Sequence, residues 1–354
     1  MTPLAAYVRA MPKVELHVHM EGAVRPETLL TLAERNRIAL PCATVEGVRA
    51  LHRYRNFKDF ARVLLLTVQC LRRPEDFALV IHRFGAEMAD HNIRYAEITW
   101  TPQFYLRGAG SLASVFDAIN RGRRQARADW GVEMRWIPDL VRSVPAPAAA
   151  VQRWAVAPAA RRGGVVALGL GGPEEGHPAE AFAGIFERAR RAGVPANPHA
   201  GESEGAESVW GALRALRAAR IGHGVRAVED ADLVRHLAER RVPLEVCPTS
   251  NLRLGVCPSY GKHPLKRLVE AGCLVTLNSD DPALFDTTLS DEYRHAVEDC
   301  GLTVRQLEHI ALDAIRASYM PAPRKAAMLK EFEAEYARLR IAHDIDDAAA
   351  GQDA

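Results

Sequence analysis

The chain has 354 residues, and its 46 Lys and Arg against 44 Asp and Glu give a formal net charge of +2. This length suits one large α/β barrel or two mid-sized domains, and the nearly balanced charge argues against a protein that binds nucleic acid by neutralising phosphates. The longest strongly apolar stretch, residues 63–71, is too short to cross a bilayer, and the first residues lack the apolar segment of a signal peptide. The sequence therefore predicts a cytoplasmic protein that neither enters a membrane nor binds nucleic acid.

Short runs of apolar and β-branched residues alternate along the chain with segments of helical periodicity. This alternation predicts a parallel sheet, and eight strand–helix units predict a (β/α)8 barrel, also called a TIM barrel. An open doubly wound sheet is the alternative architecture. Strands are predicted at 14–19, 94–100, 133–140, 165–172, 195–202, 220–224, 243–251 and 274–281, and helices at 78–91, 113–129, 179–192, 208–219, 230–240 and 263–271.

The remaining segments complete the predicted organisation. The long gap between the first two strands predicts extra helices over the barrel mouth within residues 25–71, and further helices are expected near the C-terminus. The Pro- and Ala-rich stretch 141–162 contains Trp154 in helical spacing and predicts a helix between two turns. Residues 1–342 are predicted to form a single domain, and the Asp- and Ala-rich residues 343–354 a disordered tail.

Polar and ionisable residues follow several of the predicted strands. In a parallel barrel the C-terminal ends of the strands meet on one face, where active sites of such barrels lie. The sequence therefore predicts a cluster on that face that consists of His17 and His19, His199 and Glu202, His223, and Asp280 and Asp281.

His17 and His19 are two residues apart on a strand, so both imidazoles point to the same face and can chelate one metal ion. If they were the only such residues, the simpler interpretation would be two polar residues at the end of a strand. The additional His and Asp residues at other strand ends favour the interpretation as a metal site. His199 and Asp280 would complete a His3Asp set, which suits zinc with a position left for water. A second metal would need a bridging Lys or carboxylate within 165–172, which has neither, so one ion per chain is predicted. Iron, cobalt and manganese stay open as the native metal.

Three residues are candidates for proton transfer. Glu202 lies three residues after His199 and could act as a general acid or base, unless it is a solvated loop residue. His223, between two glycines, is a candidate base or electrostatic partner of a water molecule, with a hydrogen-bonded core histidine as the alternative. Asp281 follows Asp280 and would point elsewhere, toward a substrate N–H or ring nitrogen, unless it only forms an Asp-Asp-Pro turn. The sequence contains no HExxH, HxE with PCxxC or Walker motif.

With these residues in place, the chain resembles the adenosine deaminase family of the amidohydrolase superfamily. The matching segments are PKVELHVHMEG, HAGES, RIGHG, EVCPTSN and LVTLNSDDP, in the family's order, between residue 12 and about residue 319. The resemblance implies a (β/α)8 barrel that holds one zinc ion and removes the 6-amino group of a purine by hydrolysis, as ammonia. It also implies that the zinc ligands are His17, His19, His199 and Asp280.

The resemblance further implies roles for the residues around the metal. Glu202 would protonate ring nitrogen N1 and make C6 electrophilic. His223 would help to deprotonate and orient the attacking water, and Asp281 would contact that water or N7. Protonation of N1 and the metal would both stabilise the charge that develops when hydroxide adds to the aromatic ring.

On the substrate side, the resemblance implies that His19 and Glu21 lie beside the bound nucleoside. Gly172 aligns with the backbone donor to the N3 side of the purine. Phe57 and Phe60, in the insertion after the first strand, are candidate walls of the purine and sugar pocket, with ordinary helix packing as an equal alternative.

Two departures from the family pattern bear on the substrate. Nucleoside-specific members carry Asp where this chain has Glu21, and Glu there is similar to the adenine deaminase branch. That branch has Ser-Ser-Glu where this chain has GGPE at 171–174, a run more similar to bacterial members that act on nucleosides, including 6-aminodeoxyfutalosine, an adenosine extended at its 5′ end. We give more weight to the glycine run because it contacts the base.

The sequence therefore predicts a zinc-dependent deaminase of adenosine or of a 5′-modified adenosine, with the small-molecule nucleoside as its partner. An adenine deaminase acting on the free base is the first alternative. A non-catalytic nucleoside-binding protein on the same barrel, and amidohydrolase chemistry on an unrelated amide or amidine, are the others.

Overall fold

Eight parallel strands form a nearly closed barrel, hydrogen-bonded in chain order from β1 to β8. The computed structural model describes residues 2–54, 57–106 and 108–345. The predicted barrel is confirmed, and the open doubly wound sheet, whose strand order would not follow the chain, is excluded. The strands are β1 (Lys13–His19), β2 (Ile93–Trp100), β3 (Glu133–Val141), β4 (Leu168–Gly171), β5 (Ala196–Ala200), β6 (Ile221–His223), β7 (Leu244–Val246) and β8 (Val275–Leu277).

The strands coincide with the predicted runs, but the later strands are shorter than predicted. Each of β6, β7 and β8 contains three residues. The polar residues at the ends of the predicted runs leave the sheet and form the loops of one barrel face. The run 243–251 needs the largest correction, because it is a strand only as far as Val246 and becomes a helix at Pro248. Proline has no N–H for a sheet ladder and is well tolerated in the first turn of a helix.

The strands are buried on both faces, as parallel strands are when helices cover the outside of the sheet. In β1, Leu16 belongs to the hydrophobic core, and the neighbouring His17 is also buried. The barrel also encloses charge: the Arg220 guanidinium lies 2.6 Å from a carboxylate oxygen of Glu97 and 2.6 Å from one of Glu245. Buried charges of this kind are tolerated only when they are paired.

Backbone and side-chain hydrogen bonds close the barrel between β8 and β1. Asn278 Oδ1 accepts from the amides of Leu16 and His17, at 2.8 and 3.1 Å. The amide of Asp280 donates to the carbonyl of His17 at 3.1 Å, and the amide of His19 donates to the carbonyl of Asp280 at 2.7 Å. The closure therefore fixes the position of Asp280 relative to both histidines of β1.

Helices surround the barrel and include every predicted helix, with boundaries shifted by a few residues. Three helices fill the insertion after β1, two short helices replace the single one predicted within 141–162, and three long helices follow β8. The helices are α1 (Pro3–Ala10), α2 (Pro26–Asn36), α3 (Val45–Leu51), α4 (Phe57–Cys70), α5 (Pro74–Asp90), α6 (Leu112–Trp130), α7 (Ala148–Ala155), α8 (Pro158–Arg162), α9 (Ala183–Arg191), α10 (Ala206–Ala215), α11 (Ala231–Arg240), α12 (Pro248–Arg253), α13 (Leu265–Glu270), α14 (Pro282–Phe285), α15 (Leu289–Glu298), α16 (Val304–Ala317) and α17 (Ala322–Ala342).

A small hydrophobic cluster, separate from the main core, joins α4 to α14. The rings of Phe60 and Phe285 stack there with their centroids 5.1 Å apart, and Tyr54 packs edge-on against Phe60 at 5.5 Å. Because α14 begins directly after Asp281, this cluster ties the insertion after β1 to the end of the last strand.

At the C-terminal end, α17 is followed by residues that still contact the barrel domain. The ring of His343 lies edge-on to Tyr7, and Ile345 packs against the main core. The rest of the predicted tail, residues 346–354, lies outside the described residues. Among the described helices, none is both long enough and apolar enough to span a membrane.

Candidate active site

Four side chains from three strand ends converge at the barrel mouth. His17 and His19 belong to β1, His199 belongs to β5, and Asp280 follows β8. His199 Nε2 lies 3.0 Å from His17 Nε2 and 3.2 Å from His19 Nε2. Asp280 Oδ1 lies 3.4 Å from His17 Nε2 and 3.3 Å from His19 Nε2. The structure thus brings together all four side chains that the sequence predicts as metal ligands.

The orientations of the rings fit a metal ion. His17 Nδ1 lies 2.8 Å from Glu245 Oε2 and His199 Nδ1 lies 3.2 Å from the carbonyl oxygen of Leu170, so each ring donates its Nδ1 proton away from the cluster. With both Nδ1 atoms directed outward, the Nε2 atoms of the two rings face each other at 3.0 Å, on the side where a metal ion would be bound. Ligand atoms of a tetrahedral zinc site are about 3.3 Å apart, given bonds of about 2.0–2.1 Å. The four separations given above, 3.0 to 3.4 Å, are close to this value, so the residues fit a metal ion bound in this way.

Glu202 lies in the turn that follows β5, beside this cluster. Its backbone amide, together with those of Gly201 and Ser203, donates to the carboxylate of Glu174, each at 2.9 Å. Burial, reinforced by the nearby carboxylates of Asp280 and Glu174, raises the pKa of Glu202 to about 8. Glu202 therefore carries a proton at neutral pH, as a general acid must.

A chain of hydrogen bonds orients His223, whose Nε2 lies 3.7 Å from Glu202 Oε2. The amide of Leu265 donates to His263 Nδ1 at 3.1 Å, so His263 donates from Nε2 to Asn251 Oδ1 at 3.0 Å. The Asn251 amide group then faces His223 Nδ1 at 3.4 Å. Burial lowers the pKa of His223 to about 4, so the ring is neutral and carries its proton on Nε2, on the side of Glu202.

Backbone strain occurs at two of these strand ends. His223 has a φ of 61° and Asp280 a φ of 62°, in the left-handed region that residues other than glycine rarely adopt. Each such residue costs roughly 1–2 kcal/mol relative to a right-handed conformation. Conformations of this kind concentrate at functional sites, where the surrounding structure holds them.

Asp281 packs against the backbone of Gly22, in the turn after β1. A Cβ atom at position 22 would lie 1.9 Å from Asp281 Oδ1 and 2.4 Å from its Cβ, so only glycine leaves room for this carboxyl. Burial, together with the neighbouring Asp280, holds the pKa of Asp281 well above its usual range. The glycine that follows Glu21 is therefore needed to place Asp281.

A pocket opens from the cluster, and Glu21 forms part of its wall. Glu21 Oε1 accepts from the amide of Thr101 and from the hydroxyl of Tyr105, both at 3.1 Å. Glu21 Oε2 is buried and has no hydrogen-bond partner among the described residues. One oxygen of this carboxyl is therefore available to a ligand.

The other residues predicted on the substrate side, His19, Gly172, Phe57 and Phe60, also line this pocket. Phe60 lines the pocket and also stacks on Phe285 in the hydrophobic cluster between α4 and α14. It is therefore both a wall of the pocket and a residue of the helix packing, the two alternatives given by the sequence. Gly172 has a φ of 87°, a conformation that favours glycine at the point where the chain leaves β4.

Three carboxylates near the site were not predicted from the sequence. Glu174 holds the turn of Glu202, Glu245 accepts from His17, and Asp139 lines the pocket with 3% of its surface exposed. Burial raises the pKa of Asp139 to about 7. The sequence did offer one indication of Glu245 and Asp139. Each is a single acidic residue inside an apolar strand segment, VPLEV for Glu245 and WIPDLV for Asp139. Glu174 carried no such signal, because it lies in a loop.

A (β/α)8 barrel with a His3Asp cluster at its strand ends and a proton-bearing carboxyl beside it defines a metal-dependent hydrolase. The comparison with known families shows to which family of metal-dependent hydrolases the chain belongs. The model of the adenosine deaminase family matches residues 12–335, and the chain belongs to this family. The protein is a metal-dependent aminohydrolase that acts on a purine.

Individual relatives differ in the substrate that their names state. The chain is 39% identical to the aminodeoxyfutalosine deaminase of Streptomyces coelicolor, over 93% of this chain and 86% of that protein. It is 37% identical to the adenine deaminase of Cupriavidus necator, over 93% of each. Among solved structures, an amidohydrolase from Burkholderia ambifaria with bound Zn is similar with a TM-score of 0.89 and 28% identity, covering 98% of this chain and 96% of that one.

Proposed function

We propose that the protein catalyses the zinc-dependent hydrolytic deamination of a 6-aminopurine nucleoside, either adenosine or an adenosine modified at its 5′ end such as 6-aminodeoxyfutalosine. The products are the 6-oxo nucleoside and ammonia. One observation carries the proposal: the proton-bearing carboxyl of Glu202 lies beside four ligand atoms whose spacing fits one zinc ion. The bound Zn of the similar amidohydrolase supports this choice of metal.

The side chains around the metal divide the chemistry among them. His17, His19, His199 and Asp280 would hold the zinc ion, which would supply the Lewis acidity that makes water a nucleophile near neutral pH. Glu202 donates its proton to N1, where the electron pair goes when the nucleophile adds to C6. His223 donates from Nε2 and orients the attacking oxygen, while Asp281 accepts a hydrogen bond from the water or contacts N7. One proton of the water passes to the 6-amino group, which leaves as ammonia, and the other returns to Glu202, because the 6-oxo product keeps the proton donated to N1.

Two observations support a nucleoside rather than a free base. The aminodeoxyfutalosine deaminase of Streptomyces coelicolor is 39% identical to this chain. The walls of the pocket include the apolar side chains of Phe57, Phe60 and Phe104, which can cover a substrate that extends beyond the purine ring.

The second candidate function is deamination of free adenine, and Glu21 is the observation that favours it. Its unpartnered Oε2 could accept a hydrogen bond from the N9–H of adenine, a donor that a nucleoside lacks. The same oxygen could instead accept from a sugar hydroxyl. The adenine deaminase of Cupriavidus necator, 37% identical to this chain, supports this candidate as well.

Ammonia release by the zinc-loaded protein on adenosine, 2′-deoxyadenosine, adenine and 6-aminodeoxyfutalosine tests the proposal. Faster turnover of the nucleosides than of adenine is the expected result, and a strong preference for the futalosine compound would identify the 5′-modified substrate. Turnover of adenine alone would establish the second candidate. If the protein binds one zinc per chain but releases no ammonia from any of the four compounds, the proposed function is contradicted.

A further inference from the structure

Asp139 is an acidic side chain in the pocket that the proposed chemistry does not use. It belongs to β3, is 3% exposed, and lines the pocket together with Gly171, Gly172 and His199. Its Oδ1 atom is buried and accepts no hydrogen bond from the described part of the chain. The neighbouring Arg142 forms no hydrogen bond with Asp139, because its guanidinium donates to the carbonyl oxygens of His177 and His199.

Two glycines of β4 make the space that this carboxyl occupies. A Cβ atom at Gly169 would lie 2.7 Å from Asp139 Oδ1, and a Cβ atom at Gly171 would lie 2.5 Å from Asp139 Oδ2. Gly169 pairs with Asp139 in the sheet, and Gly171 is two residues on, so both lie on the face of β4 toward Asp139. The glycine run of β4 and the acidic residue of β3 therefore form one structural unit.

An unpartnered carboxyl at such a position lowers the stability of the free protein. Burial of a polar group without a hydrogen bond is unfavourable, and an apolar side chain of similar size would fit the same space at lower free energy. Asp139 lines the pocket together with Gly171, the glycine nearest to its Oδ2 atom, so a bound ligand can form a hydrogen bond with this carboxyl. Residues that reduce stability in this way are typical of binding sites.

We propose that Asp139 is a specificity-determining residue that forms a hydrogen bond with the substrate ring along its edge between N1 and N3. The inference rests on the proposed function, in which Glu202 contacts N1 and Gly172 contacts the N3 side. The Cβ position of Gly171 lies 2.5 Å from Asp139 Oδ2 and 3.3 Å from His199 Nδ1. Asp139 is thus next to the ends of β4 and β5, the two strands that present Gly172 and Glu202. N3 is an acceptor, so Asp139 would donate to it as the carboxylic acid, whereas an amino substituent at C2 would donate to Asp139 as the carboxylate.

The experiment compares three substrates in the wild type, Asp139→Leu and Asp139→Asn, all loaded with zinc. Adenosine is the reference, 3-deazaadenosine lacks N3, and 2,6-diaminopurine riboside carries a donor at C2. We expect Asp139→Leu to lower kcat/KM for adenosine on the order of tenfold to a hundredfold, the effect of losing one hydrogen bond to a charged or strongly polar group. We also expect it to change the ratio of kcat/KM between adenosine and at least one analogue at least tenfold. Asp139→Asn keeps the shape and supplies an N–H donor to N3, so it should retain more of the adenosine activity than Asp139→Leu.

Thermal unfolding and zinc content distinguish a substrate contact from a structural role. Asp139→Leu should unfold at the same or a higher temperature and retain its zinc. Glu292→Leu is the matched control, because Glu292 is equally buried but accepts hydrogen bonds from the amide of Thr249 at 2.9 Å and the hydroxyl of Thr287 at 2.6 Å. That control should unfold at a lower temperature and keep the substrate ratios of the wild type.

Two results would overturn the inference. The first is unchanged substrate ratios in both Asp139 variants, whether or not overall activity falls. The second is a lower unfolding temperature for Asp139→Leu, comparable to that of Glu292→Leu. A wild type that turns over neither these three compounds nor 6-aminodeoxyfutalosine would instead overturn the proposed function, and this inference with it.

Discussion

Glu174 and Glu202 are joined across two loops of the barrel mouth, because the backbone amide of Glu202 donates to Glu174 Oε1 at 2.9 Å. The amides of Gly201 and Ser203 donate to the same carboxylate, and so does the hydroxyl of Ser208. These hydrogen bonds hold the pKa of Glu174 below its usual range even though burial acts in the opposite direction. The loop after β4 therefore sets the conformation of the turn that carries the proposed acid.

Replacing Glu174 should impair catalysis without removing the metal. Glu174→Ala removes the acceptor of four backbone amides, so Glu202 loses its defined position. A shift of about 1 Å can reduce a rate on the order of a hundredfold. We expect kcat to fall by that order while zinc content stays at one per chain. Glu175→Ala is the control, since Glu175 is the exposed neighbour and should retain wild-type kinetics. Equal kcat in both variants would show that Glu174 does not position the acid.

The pH dependence of the reaction should report the proton on Glu202. Because the acid form is the active one and its pKa is raised to about 8 by burial, the active fraction is nearly complete at neutral pH and falls tenfold per pH unit well above 8. Glu202→Gln should keep zinc but lose turnover on the order of 10²–10⁴-fold. Its residual rate should no longer show that alkaline decline, and a decline that persists would assign the pKa to another group.

Glu245 should control metal affinity through His17. Glu245→Gln removes the carboxylate that accepts the His17 Nδ1 proton at 2.8 Å, and loss of such a partner typically weakens metal binding 10- to 100-fold. Competition with a chelator measures this change. Glu97→Gln is a matched control, because Glu97 pairs with the same Arg220 at 2.6 Å but is not among the partners of His17. Similar zinc affinities in the two variants would contradict the prediction.

Gly22→Ala should displace Asp281 while leaving the barrel folded. The added Cβ would lie 1.9 Å from Asp281 Oδ1, so the carboxyl must move, and we expect kcat to fall at least tenfold. Gly184→Ala in α9 is the control, because its Cβ would approach only Arg188 Nη1, at 3.6 Å. Far-ultraviolet circular dichroism checks the fold of both variants. Full activity of Gly22→Ala would mean that Asp281 has no role that depends on its position.

The sequence alone determined the architecture and the metal-ligand candidates. Only a few folds are compatible with a chain in which apolar strand segments alternate with helices. In one of them, the parallel barrel, the C-terminal ends of all strands lie on the same face. His17, His19, His199 and Asp280 could therefore be grouped, although Asp280 is 263 positions after His17 in the numbering. Their grouping depends on topology, which the order of the elements determines.

Only the tertiary structure decided the partners of these residues. The structure shows that Glu245 accepts from His17, that Glu174 accepts from the amide of Glu202, and that β4 needs Gly171 to make room for Asp139. These contacts depend on distances between residues of different segments, and no local sequence pattern encodes them. The run 243–251 was predicted as one strand for the same reason, since apolar periodicity does not report where a strand leaves the sheet. Propensity and spacing act within a segment, whereas hydrogen bonds and close contacts between segments form only after the barrel has closed.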